Sequence, residues 1–142
     1  TIFFIVLFAI IFFFVFENYK EKKNILISEK YISAGLLLSK EKKDEAGKIL
    51  KEIVLSKNEI YSILALNTII EKELENDTNQ VLEYFEKIEN LNLSKEQLDL
   101  LSLKKPLFFI KKTNSDEAQN ILKNLINSKS NLKSLAEDLI SD

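Results

Sequence analysis

The densest group of ionisable side chains in this 142-residue chain is Glu71, Glu73, Glu75 and Asp77. Carboxylates gathered like this are the raw material of a hard-cation site or a general acid/base pair. Their spacing argues against both. Steps of two along a helix turn the side chain by about 200°, so these carboxylates spread around the axis instead of converging. Lys72 also interrupts them, and the simpler reading is a solvated helix end and turn. The chain has no histidine and no cysteine. That removes the usual base near neutral pH, the thiol nucleophile and the commonest metal ligands. Two glycines, Gly35 and Gly47, cannot form a phosphate-cradling loop. No catalytic residue, cofactor-binding residue or metal ligand is assigned, and the chain is expected not to be an enzyme.

Charge narrows the partners. The net charge is −2, and all 20 basic residues are lysines interspersed with 22 acidic ones. A nucleic-acid footprint needs a concentrated basic face, so none is expected. Without arginine, bidentate clamps on phosphate or carboxylate are absent as well.

The elements that must position any functional side chain are helical. Two glycines and one proline in the whole chain are too few for a turn-rich β fold. Leu, Lys, Glu and Ile are the commonest residues after residue 16 and, with the few alanines, favour helix, so the fold class is all-α. Residues 1–16 (TIFFIVLFAIIFFFVF) carry no charge, and seven of them are phenylalanine. A run this uniform has no polar face to turn to water, and it is read as a transmembrane anchor over residues 1–19. Sixteen helical residues span about 24 Å against a hydrocarbon core of about 30 Å. The chain also starts with Thr, so the anchor is expected to be N-terminally truncated. No small-residue cleavage site follows Phe16, which favours an uncleaved anchor over a signal peptide. Tyr19, Lys20, Lys22 and Lys23 sit where an interfacial ring and snorkelling ammonium groups extend the usable length. Those lysines alone lean toward a cytoplasmic placement of the domain C-terminal to the anchor.

Residues 20–142 are expected to form one helical repeat domain. The helical pattern continues from the anchor to residue 38, with Ile25, Leu26, Tyr31, Ile32, Ala34 and Leu38 near one side. Further helices are predicted over residues 44–55, 59–74, 77–91, 94–111, 115–126 and 131–140. Asp77 with Gln80, and Ser94 with Gln97, have capping-box spacing. Pro106 predicts a kink or break near residues 104–105. The third helix is expected to face Tyr61, Leu64, Ala65, Ile69 and Ile70 inward.

A repeat underlies this pattern. DEAGKIL at residues 44–50 returns as DEAQNIL at 116–122, and NQVLEYF at 79–85 lies halfway, with Val81 in the alanine's place. The aligned positions are Ala46, Val81 and Ala118, then Leu50, Phe85 and Leu122, then Ile53, Ile88 and Leu125. A period in the mid-thirties with one hairpin per unit marks a helical solenoid, because one hairpin cannot bury its own apolar face. The expectation is an array of about three helical hairpins.

These nine positions resemble the small, large and apolar positions of the second helix in tetratricopeptide repeats. The first-helix signature is reduced to Tyr31, Ala34 and Leu37. The layout as a whole is similar to bacterial inner-membrane proteins with one N-terminal span and a periplasmic tetratricopeptide-like domain, the ancillary SecYEG translocon subunit and the related cell-division-coordinator repeat family. The resemblance rests on the span, on YISAGLLLSKEKKDEAGKILKEI, on residues 61–65 and on the closing residues 132–140. It implies a bacterial inner-membrane protein with the repeat domain in the periplasm. The partners it implies are translocon subunits, chaperones or exported chains. First helices line the concave surface of such arrays, so Tyr31 and Tyr61 become the candidate partner contacts, aromatic side chains being frequent interface anchors. The competing expectation is an envelope-organising or division-coordinating protein that acts by self-association.

Overall fold

The computed structural model of the chain describes residues 2–111, 115–128 and 130–141, and side chains from Val15 onward except those of residues 16, 115, 117 and 141. Among the described residues every regular element is a helix: α1 (Ile2–Ser39), α2 (Lys43–Val54), α3 (Glu59–Glu71), α4 (Thr78–Glu89), α5 (Lys95–Lys111), α6 (Ser115–Asn127) and α7 (Lys133–Ser141). The all-α expectation holds. Also among the described residues, no helix is long and apolar enough to cross a membrane. The expected anchor depends on the side chains of residues 1–14 and 16, which lie outside the described residues. The backbone of α1 is nevertheless helical without interruption over 38 residues, about 57 Å at the α-helical rise.

Helix ends follow local chemistry. At α5 the Ser94 N–H donates to Gln97 Oε1 at 2.8 Å while the Gln97 N–H donates to Ser94 Oγ at 3.3 Å, the full reciprocal box. At α4 only half the expected box forms. Asp77 Oδ1 accepts from the Asn79 N–H, but the Gln80 amide turns forward to Glu83, and Glu75 Oε1 takes the Asp77 N–H instead. Glu75 already points at that amide, which leaves Gln80 nothing to cap. Helices α1 and α3 close with paired bonds, Lys42 N–H to Leu37 O with Glu41 N–H to Leu38 O, and Leu74 N–H to Ile69 O with Glu73 N–H to Ile70 O. This Schellman geometry needs a left-handed residue, supplied here by Glu41 (φ 62°) and Glu73 (φ 54°) in place of glycine.

Each helix packs against the next in the chain, and α1 also packs against α3. All nine aligned repeat positions on α2, α4 and α6 are buried, none more than 4% exposed. The larger core gathers Ala34, Leu50, Ile53, Leu66, Ile69, Phe85, Ile88 and Phe108 from α1 to α5. A smaller one joins Leu103, Leu122, Leu125 and Ala136 across α5, α6 and α7. Ser62, fully buried, satisfies its hydroxyl by donating to the Ile53 carbonyl at 3.1 Å, an oxygen near the end of α2 that also accepts from Ser56.

Three expectations need correction. On α1 the buried side is Ile27, Ala34 and the half-buried Tyr31 and Leu38, whereas Ile25, Leu26 and Ile32 are more than half exposed. On α3, Leu64 is exposed while Ile63 and Leu66 are buried, because packing from two sides leaves this helix no single apolar stripe. Finally, the break allowed for at Pro106 does not form, and α5 is continuously helical from Lys95 to Lys111. Proline removes the bond to the Ser102 carbonyl, but Leu103, Pro106, Phe108 and Phe109 are all buried and hold both halves of the helix against the core.

Candidate interaction surface

The two tyrosines singled out by sequence meet. Tyr31 on α1 and Tyr61 on α3 have ring centroids 5.8 Å apart with planes tilted by 54°, within the range of favourable aromatic pairs. Both are half-buried against the larger core. Thr68 Oγ1 donates to the Leu64 carbonyl at 3.0 Å, so the Tyr31 hydroxyl, 3.1 Å away, acts as donor to Thr68. The pair therefore locks α1 to α3 while both side chains stay partly exposed.

The acidic group spreads apart, as its spacing predicts. Glu71 reaches Lys104 at 3.5 Å, Glu73 reaches Lys111 at 2.7 Å and Glu75 reaches Lys51 at 2.6 Å, while Asp77 caps α4. Among the described residues no group of His, Cys, Asp or Glu is arranged to hold a metal ion. The Lys51–Glu75 pair is the most sheltered of these, with the Glu75 side chain 15% exposed. The hydrogen bond from Lys51, with help from the Asp77 N–H, holds the Glu75 carboxyl below its ordinary 4.5. The same bond raises Lys51 above 10.5. Burial pushes the neighbouring Tyr84 hydroxyl upward.

The other aromatic side chains mostly serve packing. Phe85 is fully buried with Phe108 at 6.2 Å, and Lys105 Nζ lies 5.9 Å from its ring centre. Tyr19 is 69% exposed. Lys105 also reaches both oxygens of Glu89, at 3.1 and 3.2 Å, so the cleft of about 320 Å3 lined by those two residues, Ser102 and Asn124 has its basic group matched internally.

One concavity escaped sequence reasoning. A cleft of about 350 Å3 lies between α1 and the start of α3, lined by Lys20, Lys23, Asn24, Lys57, Asn58, Glu59, Ile60 and Tyr61. Asn58 builds it. Its Oδ1 accepts from the Ile60 and Tyr61 N–H groups at 3.2 and 2.9 Å, while its Nδ2 donates to Asn24 Oδ1 at 2.7 Å. An Asn just before a helix is a legible N-cap signal, but its tie to a residue 34 positions earlier is tertiary and has no sequence signature. Tyr61 thus lines this cleft and also pairs with Tyr31.

No protein-family model, curated protein or solved structure matches the chain.

Proposed function

We propose that the chain is a membrane-anchored protein–protein interaction scaffold without catalytic chemistry, an ancillary factor of the Sec translocon or of the periplasmic chaperone network. The observation that carries this reading is the register of the repeat: corresponding residues of α2, α4 and α6 are all buried, as stacked hairpins require. Helical hairpins stacked this way present first-helix surfaces to partners, and the Tyr31–Tyr61 pair supplies an aromatic contact point on two of them. The charge-free run before Glu17 supports a bacterial inner-membrane anchor, with the repeat domain in the periplasm by resemblance. Crosslinking of the full chain in native membranes tests the proposal. Recovery of translocon subunits, chaperones or exported chains supports it, and their absence from the products overturns it.

Self-association in envelope organisation is the second reading. It draws on Ile25, Ile32 and Leu36, which are 51%, 62% and 59% exposed. Their spacing puts them on one face of α1, opposite Ile27 and Ala34. A stable dimer or higher oligomer in sedimentation, lost in an Ile32→Glu variant, would favour it.

A further inference from the structure

We propose that the cleft between α1 and the N-terminal end of α3 binds the phosphate of an anionic phospholipid headgroup. The inference rests on the membrane-anchor reading and adds a ligand to it. Lys20, Lys23 and Lys57 bring three ammonium groups to one concavity, against a single lining carboxylate, Glu59. None of the three forms an ion pair with a described carboxylate, whereas further along α1 Lys30 is held by Glu52 at 2.8 Å. Asn24 and Asn58 cross-brace the cleft, so the loop carrying Lys57 is fixed against α1. The N-terminal end of α3 borders the same space; its Ile60 and Tyr61 N–H groups are taken by Asn58, so only the helix dipole adds to the anionic preference.

Position selects a lipid over a soluble phosphate. Lys20 and Lys23 follow Phe16 by four and seven residues on one continuous helix, about 6 and 10 Å beyond the apolar run at the helical rise. The headgroup layer extends about 5–8 Å beyond the hydrocarbon on each side. Lys20 therefore lies within the headgroup layer, and Lys23 lies just outside it, close enough for its long side chain to reach back to a phosphodiester. Lys57 comes from a different part of the chain, which separates a built site from a merely basic flank after the span.

The test uses the full chain reconstituted into vesicles of phosphatidylcholine alone or with phosphatidylglycerol, with bound lipid counted by native mass spectrometry after mild extraction. Flotation with both vesicle types reads the anchor independently of the lysines. The expected result is enrichment of phosphatidylglycerol on the protein, lowered about fivefold by Lys57→Gln or by Lys23→Gln. Lys48→Gln, the same charge change on an exposed part of α2, should have no effect. Flotation with both vesicle types but no phosphatidylglycerol enrichment, or enrichment untouched by Lys57→Gln, overturns the lipid site and leaves the anchor standing. Failure to float with either overturns both. Displacement of the lipid by millimolar inorganic phosphate, with phosphate retained in pure phosphatidylcholine vesicles, would assign the cleft to free phosphate instead.

Discussion

The Tyr31 hydroxyl lies 3.1 Å from Thr68 Oγ1 while its ring rests 5.8 Å from that of Tyr61, so one side chain of α1 holds α3 at two points. A hydrogen bond of this kind contributes about 1 kcal/mol net. Tyr31→Phe should therefore lower unfolding stability by about that amount, measured by urea titration. Combining it with Thr68→Val should add less than the two single costs, because both remove the same bond.

Phe85→Ala should be the most damaging single truncation, at about 3–5 kcal/mol for a fully buried ring. Leu135→Ala, at a side chain 45% exposed, should stay within about 0.5 kcal/mol. Leu122→Ala should cost about 2–5 kcal/mol, and hydrogen exchange should report the loss first in α6 and α7, whose core is separate from that around Phe85.

Much of this packing is legible in the chain. The nine repeat positions and the Ser94–Gln97 box follow from spacing and capping chemistry, and their surroundings agree with them. The face of α1 was not legible, because Ile25, Ile32 and Ile27 are chemically alike and only the placement of α2 and α3 decides which is covered. Pro106 does not break α5, since the local helix-breaking cost is offset by burial on both sides of it. The lysine cleft depends on Asn58 finding Asn24 across the fold, a pairing that periodicity does not encode.

Acid should weaken the fold through Glu75. Its carboxyl is lowered in the folded state by the Lys51 hydrogen bond, so its stabilisation is present above the ordinary 4.5 and is lost as pH falls through the lower folded value. Lys51 is raised, so its share is complete below 10.5 and is lost as pH rises beyond its folded value. The pair is thus fully effective between those limits. Glu75→Gln should remove about 1 kcal/mol at pH 7 and less near pH 3, as read from unfolding curves at the two pH values.

Glycine stands where the backbone does not need it and is missing where it does. A Cβ on the buried Gly47 of α2 would meet Leu74 at 3.7 Å, an ordinary contact. Gly47→Ala should therefore stabilise by about 0.5–1 kcal/mol through helix propensity. Glu41, left-handed at φ 62°, should gain about 0.5–1 kcal/mol on replacement by Gly as steric strain is relieved. Both appear as a raised Tm.

The scaffold reading is tested most directly by a photo-crosslinking residue at position 61 of the full chain in native membranes. The side chain there is half-buried, beside the exposed Ile60 and opposite Tyr31. Adducts with translocon subunits, periplasmic chaperones or exported chains are the predicted result. A membrane fraction without the chain, or adducts confined to a second copy of it, would contradict the scaffold reading.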